Sequence, residues 1–227
     1  MTVHFKICCI NSVQEADLAI AAGAVAVGLV GEMPNGPGPI SDDEITEIAA
    51  HVRGRHDDKI WTTLLTSRTD GQAIADHIAE TRVNTVQIVD APERGAYDAI
   101  RKAHPRARIM QVIHVEDASA VDAAREAAES VDAVLLDSGK PSAATPTLGG
   151  TGDVHDWTIS RQIIETVGKP VFLAGGLNPE NVAEAIAAVR PYGVDICSGL
   201  RDKADAYRLV PEKLEAFAGV LRRAAAG

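Results

Sequence analysis

Two short apolar segments of this chain carry a residue that can exchange a proton. Residues 4–10, HFKICCI, contain Cys8, and residues 134–137, VLLD, end at Asp137. A thiolate can act as a base and a protonated carboxyl as an acid, so the pair could move protons on a bound substrate. If the fold brings the ends of these two segments together, the sequence predicts an acid–base site.

Each of these residues also has a simpler interpretation. Cys8 could be a small apolar filler, which is the usual role of a free cysteine, and Asp137 could cap a turn. In a strand Lys6 and Cys8 share one face, and Cys9 points to the other. A buried lysine is costly unless it is paired or functional, so Lys6 favours the functional interpretation.

The elements that must position these residues alternate along the whole chain. Eight apolar, strand-like segments alternate with eight Ala-rich amphipathic segments, which favours parallel strands joined by helices. An open doubly wound sheet would need a glycine-rich loop after the first strand, and residues 11–14 contain no glycine. We therefore predict a single (β/α)8 barrel (TIM barrel) over residues 1–227. The predicted strands are 4–10, 25–30, 60–66, 85–90, 108–115, 132–138, 170–176 and 194–199, and the predicted helices are 12–22, 42–53, 70–80, 94–104, 118–129, 158–167, 179–189 and 211–224.

Composition narrows the class of protein. The chain has 227 residues, a formal net charge of −10 and a pI of about 5.1, which disfavours binding to nucleic acid. No apolar run approaches the ~20 residues of a membrane helix, and no signal peptide precedes the first strand. Three cysteines do not make a disulfide framework, so we expect reduced thiols in a cytoplasmic protein. The histidines lack metal-ligand spacing, and we predict neither a metal nor a cofactor.

Glycines at two predicted strand ends indicate a phosphate site. Barrels often bind phosphate between the loops after strands seven and eight, where glycine lets backbone N–H groups approach the oxygens. Residues 149–152, GGTG, lie late in the loop after strand six and could form a lid or supply further backbone donors. The predicted substrate- or phosphate-binding residues are Lys6, Gly150, Gly152, Gly175, Gly176, Ser198 and Gly199.

Taken together, these motifs resemble the phosphoribosylanthranilate isomerase family of tryptophan biosynthesis. The similar segments are KIC-x-I at residues 6–10, DS at 137–138, GGTG at 149–152 followed by Asp156-Trp157, and FLAGGLNPENV at 172–182. The similarity continues through RPYGVD to Ser198-Gly199 and extends over nearly the whole chain.

The resemblance implies an Amadori rearrangement of an N-substituted 5-phosphoribosylamine on a barrel without metal or organic cofactor. In that family the acid, here Asp137, protonates the ribose ring oxygen, and the thiolate, here Cys8, removes the C2′ proton. The backbone after strands seven and eight would hold the phosphate. We expect a small phosphorylated sugar as the partner, and a monomer or homodimer.

The chain also departs from the family pattern. Cys9 and Asn11 stand where the family usually has Gly and Thr, and Gly38 stands where an arginine contacts the anthranilate carboxylate. The histidine of the fourth-strand motif is replaced in the segment that ends at Val89 and Asp90. Losing a charge-assisted contact to a carboxylate costs several kcal/mol. The pattern therefore predicts that the chemistry is retained and that the recognition of the aromatic acid is altered.

Two other functions stay open on the sequence. A barrel that retained the phosphate site but lost turnover would bind phosphorylated sugars without using Cys8. An aldolase would use Lys6 as a Schiff-base amine.

Overall fold

Eight parallel strands close into a barrel in a computed structural model that describes residues 3–34, 36–138, 156–202, 204–205 and 207–226. Each strand pairs with the next along the chain, and the eighth pairs with the first, so the predicted TIM-barrel fold is confirmed. The strands are β1 His4–Ile7, β2 Ala26–Val30, β3 Trp61–Thr66, β4 Thr85–Ile88, β5 Arg108–His114, β6 Ala133–Asp137, β7 Val171–Leu173 and β8 Gly193–Ile196.

An α-helix follows each strand and packs on the outside of the barrel. Most neighbouring helices contact one another around the ring, in one series from α1 to α4 and in another from α5 to α8. No helix in the described ranges is long and apolar enough to cross a membrane. The helices are α1 Val13–Ala21, α2 Asp42–His56, α3 Gly71–Thr81, α4 Ala96–Ala103, α5 Ala120–Ala128, α6 Trp157–Thr166, α7 Val182–Val189 and α8 Pro211–Ala226.

The buried apolar side chains form two layers. The larger layer lies between the strands and the helices, as expected for a parallel sheet covered on its outer face. The smaller layer fills the barrel interior and includes Leu65, Met110 and Phe172. Both Cys8 and Cys9 belong to this inner layer.

Two helix starts differ from what the local sequence indicates. The Ser41–Glu44 capping box before α2 is complete, since each residue bonds the backbone N–H of the other. Before α1, Ser12 accepts from the Glu15 N–H, but the Glu15 side chain turns toward the interior instead. The predicted helix start at Pro179 is wrong, because Asn178 accepts from the N–H groups of Glu180 and Asn181 in a turn that delays α7.

A small antiparallel hairpin follows β8 and was not predicted. Its strands are β9 Arg201–Asp202 and β10 Arg208–Leu209. The guanidinium of Arg201 donates to Glu15 at 2.7 Å and to the carbonyl of Cys8 at 2.8 Å, and Glu15 also accepts from the Leu209 N–H at 2.7 Å. Breaking such a buried pair typically costs about 3–5 kcal/mol. The pair therefore fixes the chain just after β1 to the hairpin.

Candidate active site

One pocket opens at the C-terminal ends of the strands, where barrels of this class place their chemistry. Its walls come from all eight strands or from the residues that follow them. They combine apolar side chains with a few polar ones. Among the lining residues are Cys8, Cys9, Cys197, Gln87, Asp137, Asp195, Gly175, Gly176 and Ser198.

Three thiols meet in this pocket. The sulfur atoms of Cys8, Cys9 and Cys197 lie within 4.8 Å of one another, and the Cys9 thiol donates to the Cys8 sulfur at 4.0 Å. Hydrogen bonds from Cys197 and Cys9 lower the pKa of Cys8, and the Lys6 ammonium lowers it further against the opposing effect of burial. Cys8 is therefore the thiolate of the cluster, with its two neighbours as donors.

Lys6 is fully buried under the pocket floor. Its ammonium donates to Asp195 of β8 at 2.7 Å. Burial alone would lower the pKa of Lys6, but Asp195 and Cys8 raise it, so this side chain stays charged. Burial raises the pKa of Asp195 to about 7 against the attraction of Lys6. Lys6 does not itself line the pocket, so the geometry favours a role through Asp195 and Cys8 over direct substrate contact.

Asp137 ends β6 and faces the same pocket as Cys8. Its carboxylate accepts from the Ser138 N–H at 2.9 Å. Burial raises the pKa of Asp137, and the Cys8 thiolate adds to the rise, while Ser138 and His114 oppose it. A carboxyl in this environment keeps its proton to higher pH than an exposed one, which is what a general acid requires.

The predicted phosphate-binding glycines lie together at one side of the pocket. Gly175 and Gly176 have φ of +84° and +62°, a left-handed backbone that glycine adopts without strain. Within the described residues, neither amide donates a backbone hydrogen bond. Ser198 lines the pocket beside them, and Gly199 packs so closely on the Leu177 carbonyl that a Cβ would lie 2.3 Å from its oxygen. The predicted Gly150 and Gly152 lie outside the described residues.

Two buried oxygen atoms in the pocket walls have no hydrogen-bond partner in the part of the chain that is described. They are Oε1 of Gln87 on β4 and Oδ1 of Asp195 on β8. Leaving a buried acceptor unsatisfied costs about 1–3 kcal/mol. A ligand that carries hydroxyl or N–H donors would satisfy them.

The prediction that Cys9 points away from Cys8 is wrong. Cys9 has φ of +60°, so the chain leaves the strand geometry after Ile7 and returns the Cys9 sulfur to the pocket. There it lies beside the segment after β2: a Cβ built on Gly38 would come within 2.9 Å of the Cys9 Cβ. Asp90 is not a lining residue, whereas Val89 is.

Comparison with known proteins identifies the class of this site. The family profile for N-(5'-phosphoribosyl)anthranilate (PRA) isomerase matches residues 5–203. The chain belongs to this family. An N-(5'-phosphoribosyl)anthranilate isomerase 2 of Methanosarcina mazei is 39% identical over 202 residues, which cover 88% of this chain and 86% of the relative.

Solved structures of PRA isomerases share the barrel. One, in complex with reduced 1-(o-carboxyphenylamino)-1-deoxyribulose 5-phosphate, superposes with a TM-score of 0.75 at 24% identity and covers 98% of this chain and 100% of its own. Another, from Thermotoga maritima, consists of monomers generated from a dimeric enzyme and has a TM-score of 0.76 at 23% identity, over 98% and 100% of the two chains. At these identities the similarity establishes a shared fold.

Sequence reasoning missed three residues of the pocket of this PRA isomerase family member. Cys9 was assigned to the wrong face, and Cys197 and Asp195 were given no role. The register of β1 with β8, which pairs Lys6 with Asp195, could have indicated the ion pair once the barrel was assumed. No local pattern signals the left-handed backbone of Cys9.

Proposed function

We propose that this chain is a phosphoribosylanthranilate isomerase that uses Cys8 as general base and Asp137 as general acid. One observation carries the proposal: a thiol with a lowered pKa and a carboxyl with a raised pKa line the same pocket. When the environment shifts the pKa values of two titratable groups in opposite directions, the two groups are candidates for the acid and the base of the reaction.

The chemistry follows from these protonation states. Asp137 donates its proton to the ribose ring oxygen, and the C1′–O bond breaks as the nitrogen lone pair forms a Schiff base. The Cys8 thiolate then removes the proton from C2′ to give an enolamine. Return of a proton to C1′ and loss of the C2′ hydroxyl proton give the 1-amino-1-deoxyribulose 5-phosphate, and these two transfers restore the thiolate of Cys8 and the protonated Asp137. Protons thus pass between the substrate and the two side chains, and no external oxidant or reductant is needed.

The phosphate would bind to the backbone at Gly175, Gly176, Ser198 and Gly199. Free backbone N–H groups in glycine-rich turns after strands seven and eight suit a dianion. The Ser198 hydroxyl is a further donor at this side of the pocket, so its removal in Ser198→Ala is expected to raise KM and the inhibition constant of inorganic phosphate together, with a smaller change in kcat. A change in kcat alone would contradict this placement.

Hydroxyl groups of the sugar would donate hydrogen bonds to the two unpartnered oxygen atoms of the pocket. Gln87 Oε1 and Asp195 Oδ1 are acceptors, and ribose hydroxyls are donors. This match supports a polyhydroxylated ligand over a purely apolar one.

The pocket wall that would face the aromatic end of the substrate differs from the family pattern. Met33, Gly36, Pro37 and Cys9 line it, and the position expected to carry an arginine is Gly38. Among the described lining residues no cation faces a substrate carboxylate at this end. We therefore expect a more permissive enzyme, for which phosphoribosylaniline competes with phosphoribosylanthranilate far better than in a relative that has the arginine.

Turnover by the purified protein tests the assignment. Cys8→Ser, Cys8→Ala and Asp137→Asn are each expected to lower kcat by about 10²–10⁴-fold, the usual contribution of a general acid or base. Cys8→Ser nearly preserves volume, so a mere filler would tolerate it. Asp90→Asn is the matched control, since Asp90 is a carboxylate near the mouth that bonds only its neighbour's N–H in the described structure. Wild-type rates in either Cys8→Ser or Asp137→Asn would refute the mechanism.

We propose a cytoplasmic setting in tryptophan biosynthesis. Three free thiols suit a reducing, cytoplasmic compartment. Rescue of a tryptophan auxotroph that lacks this isomerase tests the pathway. Gel filtration with light scattering tests the expectation of a monomer or homodimer.

A further inference from the structure

The pocket contains two cysteine sulfur atoms besides that of the proposed base. Cys8 is the proposed base, but Cys9 and Cys197 also face the cavity, and all three sulfur atoms lie within 4.8 Å of one another. Cys8 and Cys9 are buried, and Cys197 is partly exposed.

The fold brings these thiols together from two directions. Register pairs Ile7 with Ile196, so the next residues, Cys8 and Cys197, leave neighbouring strands side by side. Cys9 joins them through a left-handed backbone, with φ of +60°, which is strained for a non-glycine residue. Strain of this kind is typical of functional positions.

The spacing suits a metal better than a disulfide. A tetrahedral Zn²⁺ with Zn–S bonds of about 2.3 Å separates its thiolates by about 3.8 Å. The Cys8 and Cys9 sulfurs are 4.0 Å apart, so small side-chain rotations suffice. A disulfide needs about 2.05 Å.

Charge also favours a bound cation. Three thiolates and one divalent ion carry a net charge of −1. Binding of the ion thus cancels two of the three negative charges that the thiolates would otherwise bury. Thiolate ligands select soft or borderline ions over Mg²⁺ or Ca²⁺.

We propose that Cys8, Cys9 and Cys197 form a three-thiolate site for a borderline or soft d¹⁰ cation such as Zn²⁺ or Cd²⁺. The fourth coordination position faces the pocket. A bound ion occupies the lone pairs of the Cys8 sulfur and so blocks its use as a base. This second consequence rests on the proposed function, whereas the binding itself does not.

Titration of reduced, metal-free protein with Cd²⁺ tests the site without any turnover. Cadmium–thiolate charge-transfer absorption reports sulfur ligation, and we expect it to saturate at one ion per chain. Cys9→Gly and Cys197→Ser should each weaken binding by at least about 100-fold, since losing an outer-shell partner already costs about 10–100-fold. His51→Asn, which removes a histidine paired with Asp17 far from the thiols in sequence, should leave the titration unchanged.

Two results would overturn the site: no saturable absorption in the wild type, or unchanged affinity in Cys197→Ser. Circular dichroism verifies that each variant is folded, and Cys9→Gly gives an independent second test because glycine suits the left-handed backbone at that position. In the activity arm, saturating Cd²⁺ should abolish turnover and a chelator should restore it. Full turnover with the site occupied would refute the blocking of Cys8 and leave the binding result standing.

Discussion

At the scale of single residues, the candidate site depends on how burial and neighbouring groups set the protonation of Cys8 and Asp137. Hydrogen bonds from Cys197 and Cys9 favour the thiolate of Cys8, whereas burial favours the protonated form of Asp137. In this pocket the thiol therefore ionises at lower pH than usual, and the carboxyl keeps its proton to higher pH than usual. Neither residue type would do so in water, where a thiol is mostly protonated and a carboxyl is ionised.

The pH dependence of turnover follows from these two shifts. The reaction needs Cys8 deprotonated and Asp137 protonated, so kcat/KM should rise as Cys8 ionises and fall as Asp137 ionises. Because the pKa of Cys8 is lowered and that of Asp137 is raised, the rising limb should lie below the pH range of an ordinary thiol and the falling limb above that of an ordinary carboxyl. Initial rates across a buffer series measure the profile. A rate that climbs steadily toward alkaline pH would indicate an ordinary thiol and contradict the assignment.

Replacement of Cys9 should reverse the usual order of stability, in which an alanine variant is more stable than a glycine variant. At φ of +60° a Cβ is strained, so Cys9→Gly should be more stable than Cys9→Ala by about 1 kcal/mol. Urea unfolding of the two variants measures the difference. Greater stability of the alanine variant would mean that the backbone relaxes and that no strain is held at this position.

At the scale of elements, the segment after β2 and the end of β1 form one wall of the pocket. The Cys9 sulfur lies 3.5 Å from the Pro37 carbonyl oxygen, and Pro39 forms an isolated β-bridge with Val30 of β2. Gly38 has φ of +74° and packs against Cys9. The two departures from the family pattern, at residues 9 and 38, are therefore one packing arrangement.

This contact predicts that an arginine cannot simply be restored. Gly38→Arg alone should destabilise the protein by about 1–3 kcal/mol, because its Cβ would lie 2.9 Å from the Cys9 Cβ. With Cys9→Gly the clash disappears, so the two changes should couple by at least about 0.5 kcal/mol in a double-mutant cycle of unfolding free energies. Only the double variant should gain preference for phosphoribosylanthranilate over phosphoribosylaniline. Additive effects on stability would show that the contact is not the constraint.

At the scale of the whole molecule, the two ends of the barrel have different tasks. Aromatic rings fill the end opposite the pocket: Phe172 lies 5.9 Å from Trp61 and 5.5 Å from Tyr192, between ring centroids. The ring of helices closes around the strands with little space between α3 and α4. Packing at the end opposite the pocket and in the ring of helices therefore stabilises the fold. The pocket end is left free to hold strained and ionised groups.

Two glycine-to-alanine changes test the packing of the outer ring. A Cβ on Gly71 would lie 2.6 Å from the Ala96 Cα, so Gly71→Ala should force α3 from α4 and cost about 1–3 kcal/mol. Gly54, inside α2, has open space around it, and Gly54→Ala should stabilise by about 0.5–1 kcal/mol. Urea unfolding gives both values. A neutral Gly71→Ala would show that the helices can separate at little cost.

The sequence by itself determined the alternation of strands and helices, the barrel, and the placement of Cys8 and Asp137 at strand ends. These features are local, because periodicity and the order of segments carry them. The ends of β2 and β3 were predicted correctly, whereas β1 and β7 were predicted too long, since residues 8–10 and 174–176 are apolar or small yet leave the sheet.

Only the tertiary structure decided the partners of the ionisable groups. Lys6 bonds Asp195 across 189 positions of sequence, and Arg201 bonds Glu15 across 186. Glu15 shows the reason: its spacing from Ser12 fits a capping box, but a buried guanidinium competes for the same carboxylate. Closure of the barrel joins the first strand to the last and places Cys197 beside Cys8, and the left-handed backbone at Cys9 completes the three-thiol cluster that lowers the pKa of Cys8.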